Sequence, residues 1–215
     1  MNGNITGLIT SVKNNSDANR VIEVLTAEYG MVYVFASGAR RLSSRFLPLT
    51  NLFTVVSLEC TSNGNLLLLK DGKCLGGFRS IETDIDKLSM AADAVKNVRT
   101  ISANSDAKSK IYALCMTYFE LLDRCRDTHQ AASATVKFYI YLLHYSGFNV
   151  TSYAAEYNGP ELIEICRYLS GKKVSEAMTD NTTLDGAREA YDTLAHIYAA
   201  QLDMRLGKLF QNDFI

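Results

Sequence analysis

Residues 31–46 read MVYVFASGARRLSSRF. The first half is a run of valines and aromatics suited to a pleated strand, and Gly38 ends it. The second half places Arg40, Arg41 and Arg45 within six residues, just after Tyr33 and Phe35. Guanidinium groups bind phosphates and exposed rings stack on bases, which is how small barrels hold single strands without reading their sequence. A plainer arrangement fits the same residues: Tyr33 and Phe35 pack against a helical body and the arginines form a solvated turn.

Similar runs lie on both sides. ITGLITSV (5–12), RVIEVLTAEYG (20–30), LFTVVSLEC (52–60), NLLLLKDG (65–72) and CLGGFRS (74–80) are short and rich in strand formers. NNSDAN at 14–19, Tyr29-Gly30, Gly38, SNGN at 62–65 and Asp71-Gly72 supply the Asn, Asp and Gly of turns. Five or six strands in the first 80 residues predict a small barrel of OB-fold size, with an SH3-like barrel fitting nearly as well.

After residue 80 the apolar period changes to that of a helix. Ile111, Leu114, Cys115, Tyr118, Leu122 and Cys125 form one stripe, and Ala132, Val136, Tyr139 and Leu143 another. Helix starts are expected at Thr83-Asp84, Ser105-Asp106, Asp127-Thr128 and Asn158-Gly159-Pro160, with a last long helix over 186–211. The expected fold class is α+β: an N-terminal OB-type barrel over 1–80, packed on an all-helical domain over 81–215.

The chain has 215 residues, 47% hydrophobic and 21% charged, the balance of a folded globular protein. Its opening MNGNITGLIT has no basic stretch and no long apolar core, and no segment is apolar enough to span a membrane, so the expected location is the cytoplasm. Five cysteines at irregular spacings argue against a disulfide framework. The net charge of −1 is unevenly spread: residues 1–80 carry eight basic and five acidic groups, leaving the remainder net acidic.

Catalytic and metal motifs are weak. Cys125 and His129 are four apart, but two ligands do not make a metal site, and His144 and His196 have no companions in sequence. Asp84 and Asp86 point apart on a helix and suit a first turn by complementing its dipole. Lys172 and Lys173 follow Gly171 without the spacing of a phosphate-binding loop. The reading is of a binding protein rather than an enzyme, with no cofactor.

The order Gly7-Leu8-Ile9, Asp17-Ala18-Asn19-Arg20-Val21, Leu25-Thr26-Ala27-Glu28-Tyr29-Gly30, then Gly38-Ala39-Arg40-Arg41 with Ser44-Arg45, resembles the N-terminal domain of the RecO family. Leu52-Phe53-Thr54, Gly77-Phe78, Asp84 with Lys87-Leu88, and the closing Leu206-Gly207-Lys208-Leu209-Phe210 resemble later parts of that family. The resemblance implies a recombination mediator in DNA repair. Such a protein binds single- and double-stranded DNA, anneals complementary strands and, with RecR, helps RecA replace single-strand binding protein. The residues then expected to bind nucleic acid are Lys13, Arg20, Arg40, Arg41, Arg45, Lys70, Lys73 and Arg79. A pocket for the acidic tail of single-strand binding protein is expected on the helices, rimmed by Lys108, Lys110, Arg124, Arg126 and Lys137. The rival reading, favoured by a pI near 6.3, is a small-barrel adaptor that binds only proteins.

Two departures from the family stand out. Ser37 occupies a position where many members carry a basic residue before the Gly-Ala-Arg turn. Many members also hold zinc with four cysteines after a Gly-Phe dipeptide. Here Gly147-Phe148 is followed by Ala155 and Asn158 where the first pair would fall, and by no cysteine before Cys166. The expectation is a chain without the zinc module, its loop shortened before Pro160 or packed by Tyr153 and Tyr157.

Overall fold

A computed structural model describes residues 2–64, 66–103, 105–148 and 183–210. Its first five elements are strands: β1 (Asn2–Asn15), β2 (Asn19–Thr26), β3 (Gly30–Ala36), β4 (Thr54–Asn63) and β5 (Leu66–Gly77). They form a closed barrel in the order β1-β2-β3-β5-β4, with β3 and β5 parallel and the other neighbours antiparallel. This is the arrangement of an OB-fold rather than of an SH3-like barrel.

The long first strand closes the barrel. Asn2–Leu8 pair with β4, whereas Gly7–Asn15 pair with β2, so Gly7 and Leu8 are held on both sides. A bulge at Thr10 bends the strand between its two partners. At the shared point there is no room for a side chain: a Cβ on Gly7 would lie 2.3 Å from the Leu25 carbonyl oxygen and 2.6 Å from Val24 Cγ1. Alternate residues face inward, and Ile22, Val24, Val34, Val56, Leu58 and Leu69 build the barrel core.

One expectation fails within β5. Asp71-Gly72 reads as a turn, yet Asp71 pairs with Glu59 and Gly72 with Leu58 inside a single strand. Here glycine serves close packing, since a Cβ at Gly72 would sit 2.8 Å from the Ser57 carbonyl oxygen. The two runs NLLLLKDG and CLGGFRS are therefore largely one strand, irregular at Lys70 and again at Leu75.

Between β3 and β4 runs a connector over 37–53. It contains one 3-10 turn, Pro48–Thr50. Leu49 joins the barrel core, and Phe53 is buried in a left-handed conformation (φ 50°), its N–H donating to the Ile9 carbonyl at 2.9 Å.

The described helices are α1 (Arg79–Thr83), α2 (Ile85–Ala103), α3 (Lys108–Arg124), α4 (Thr128–Tyr145) and α5 (Leu184–Leu202). The chain divides into two compact units, one of residues 1–79 with 108–112 and the other of the remainder. Asp84 caps α2 by accepting from the Asp86 and Lys87 N–H groups, and Asp127 caps α4 by accepting from Gln130 N at 2.8 Å. The α3 stripe is buried as its spacing predicts, while α4 is buried on nearly every face from Ala131 to Ile140. Tyr139 is central: its hydroxyl donates to Asp93 at 2.6 Å and accepts from Asn97, and its carbonyl accepts from the Tyr198 hydroxyl at 2.8 Å.

The last described helix stops at Leu202, short of the expected 211. Asp203 turns left-handed (φ 50°) and both it and Met204 donate to the Tyr198 carbonyl, closing the helix end. No described helix is long and apolar enough to cross a membrane. The helix start at Asn158-Gly159-Pro160, Lys172, Lys173, and the positions around Ala155 and Cys166 lie outside the described residues.

Gly7→Ala is expected to lower unfolding stability by about 2 kcal/mol or more, as overpacking of a closed core does. Gly3→Ala, where a Cβ meets nothing within 4 Å, should be close to neutral. Denaturant midpoints of the two variants check this; equal midpoints would contradict the closure argument.

Candidate nucleic-acid interface

The β1–β2 turn and the connector meet at one end of the barrel, because β2 begins where β3 ends: Arg20 lies opposite Ala36. Their junction explains the Gly-Ala-Arg motif residue by residue. Gly38 takes φ 69°, which a side chain would strain, and its N–H donates to Asn19 Oδ1 at 2.9 Å. Ala39 is fully buried in the barrel core, where a small apolar side chain fits. Arg40 then ties the two loops, its backbone N–H donating to the Ala18 carbonyl and its Nη1 to the Ser16 carbonyl, each at 2.9 Å.

The connector is fastened at two further points. Arg45 Nη2 donates to the Lys70 carbonyl at 2.7 Å, at the residue of β5 left over by the register shift. Its guanidinium also stands 3.6 Å from Asp71 Oδ2 and 4.9 Å from the Phe46 ring centroid. Both partners of that ion pair are largely exposed, so it contributes at most about 1 kcal/mol and leaves the cation open to competition by a phosphate. Arg20 is a different case. Its Nη1 donates to both the carbonyl and the hydroxyl of Thr50 at 3.0 Å, and its Nε is buried.

The eight expected cations thus separate. Arg40, Arg41, Arg45 and Lys70 are exposed at or beside the connector, and Lys13 is exposed on the adjoining part of β1. Arg41 donates no side-chain hydrogen bond and makes no ion pair among the described residues. Arg20 is half-buried in the scaffold and positions the connector. Lys73 is exposed further along β5, opposite Ser57. Arg79 lies two residues past the end of β5, whose run from Lys70 to Gly77 alone spans roughly 23 Å at about 3.3 Å per residue, so it stands apart from the group.

Tyr33 and Phe35 face outward from β3, alternating with buried Val34 and Ala36. Tyr33 is 44% exposed. The register sets Lys13, Val21, Phe35 and Leu68 in one row across β1, β2, β3 and β5, with Lys13 about 10 Å from Phe35 at two strand spacings. A cation and a ring on one curved face match a strand's phosphates and bases.

The family model described as "Recombination protein O N terminal" matches residues 1–78, the whole of this barrel. The barrel is thus similar to the N-terminal domain of the RecO family. The protein named DNA repair protein RecO of Symbiobacterium thermophilum is 30% identical over 118 residues, covering 55% of this chain and 47% of that protein. Its namesake in Anaeromyxobacter sp. (strain K) is 29% identical over 121 residues, 55% of this chain and 48% of that protein. The one in Clostridium acetobutylicum is 20% identical over 145 residues, 67% and 58% of the two chains. The chain thus spans about half the length of the first two RecO relatives.

The five cations assigned to a pocket rim on the helices are scattered. Lys108 and Lys110 lie in the first turn of α3 and Arg124 in its last, roughly 20 Å apart at 1.5 Å per residue. Arg124 is paired with Glu120 at 2.6 Å, and Arg126 is exposed. Lys137 requires a correction: it is fully buried in α4, among residues that are nearly all inside, and cannot rim a surface pocket. Burial also raises the Cys125 thiol to about 11, so near neutral pH it is a protonated core side chain. Sequence reading missed Asn19, Ser16 and Thr50; the Asn-Ser-rich turn was the available signal for the first two.

The Arg20 and Thr50 side chains should be energetically coupled. In a double-mutant cycle of Arg20→Ala and Thr50→Val, we expect a coupling of about 1 kcal/mol in unfolding free energy. Simple additivity would show that this bond does not fasten the connector.

Proposed function

We propose that this chain is a DNA-binding recombination mediator in DNA repair, acting in the cytoplasm by binding rather than by catalysis. The observation that carries the reading is the group Arg40, Arg41, Arg45, Lys70 and Lys13, which a formally near-neutral chain concentrates at one end of an OB barrel. Annealing needs no active site. It needs neutralisation of two phosphate backbones while the bases stay free to pair, and exposed cations beside outward aromatics supply that. The names of its relatives favour a role in DNA repair. RecR, RecA loading and the acidic tail of single-strand binding protein complete the proposal; with Lys137 internal, the tail's site would draw on cations other than the full predicted set.

The rival, an adaptor that binds only proteins, finds its support in Arg40 and Arg45, whose guanidinium groups bond carbonyls of the fold. Each guanidinium retains further N–H donors, however, and both side chains are exposed. Anisotropy of a labelled single-stranded oligonucleotide, titrated at several salt concentrations, separates the two. Binding should weaken steeply with salt, and replacing Arg40, Arg41 and Arg45 together by Ala should flatten the slope by about two, at roughly 0.7 per lost single-strand phosphate contact. An unchanged affinity and slope in a folded triple variant would overturn the assignment.

A further inference from the structure

We propose that Leu42 is a wedge that enters the base stack of duplex DNA held by the arginines around it. The proposal rests on the reading of this barrel end as the nucleic-acid face, and it adds a contact to bases where that reading has only phosphates. Leu42 is 95% exposed, more than any other large apolar side chain described. A single exposed leucine ordinarily needs no explanation. This one stands at the tip of the connector with Arg40, Arg41 and Arg45 within three residues of it in sequence.

The tip is also held in place. Arg41 N donates to the Gly38 carbonyl at 3.1 Å and Ser44 N to the Arg41 carbonyl at 2.9 Å, so Leu42 lies within a backbone-bonded turn. Arg40 and Arg45 anchor the two sides of that turn to Ser16 and Lys70. Most of the ordering entropy of insertion is therefore met in the free protein. Proteins that open a base step use this combination: an aliphatic side chain between the bases and cations on the flanking backbone.

A protein partner fits less well. The chain neighbours Arg40, Arg41 and Ser43 are exposed and polar, so they add nothing to the apolar area that a stable protein interface buries. A base step accepts one isolated aliphatic group, and its phosphates complement the charges beside it.

The test uses the full chain and a short duplex carrying the fluorescent base 2-aminopurine at successive positions. Wild-type protein should brighten the probe at the step it opens. Leu42→Ala and Leu42→Ser should abolish the brightening and weaken binding by about tenfold. They should leave the slope of affinity against salt unchanged, since no phosphate contact is lost. Leu42→Met should retain both signals. The wedge is overturned if wild type binds with a steep salt slope but leaves every probe position dark, or if Leu42→Ala brightens it as wild type does. Absence of any salt-dependent DNA binding by wild type would instead overturn the functional reading, and the wedge with it.

Discussion

Ala39 sits inside the end of the barrel, and the charges of the connector stand where they do because of it. Burying that small side chain brings the Arg40 backbone against the Ala18 carbonyl and the Gly38 N–H against Asn19. Two loops that would otherwise be independent become one surface. A larger residue at 39 would have to enter a packed core, and a residue with a Cβ at 38 would have to adopt a left-handed φ, so both positions are constrained by geometry before any ligand is considered. The motif's third residue, Arg40, can then serve the junction and still present charge.

The same fastening organises the electrostatics. Surface charges farther apart than a Debye length, about 8 Å at physiological ionic strength, act nearly independently. A chain with a net charge of −1 can therefore attract a polyanion through one cluster while its acidic remainder contributes little. Within this cluster Asp71 pairs with Arg45, and at 3.6 Å that contact is long and exposed. A phosphate offers a stronger, multiply hydrogen-bonded partner for the same guanidinium.

Much of this was legible in the sequence where a local rule governs the outcome. The run of strand formers over 31–36 marked β3, although only the structure shows Val34 and Ala36 inside and Tyr33 and Phe35 outside; Asp84 and Asp127 announced their helices; and the spacing from Ile111 to Cys125 marked a face that is indeed buried. The failures share a physical cause, which is that tertiary neighbours decided them. Asp71-Gly72 carries turn chemistry, but β4 pairs across it and needs the missing Cβ for contact. Arg20 is one of eight equivalent cations until Thr50, thirty residues away, claims its guanidinium. Lys137 looks like a surface charge because its helix shows a single stripe, whereas that helix is enclosed on nearly all sides. Leu42 carries no signal at all in a periodicity analysis, since it belongs to neither a strand nor a helix.

In the proposed function the nucleic-acid face is the barrel end built from the β1–β2 turn and the connector. Backbone amide shifts of the isotope-labelled full chain, followed while a single-stranded oligonucleotide is added at low salt, test it directly. The largest changes should fall in residues 13–20, 38–46 and 70–71, with Tyr33 and Phe35 beside them and little change at Arg79. Changes confined to the helices, or none in the connector at saturating oligonucleotide, would contradict it.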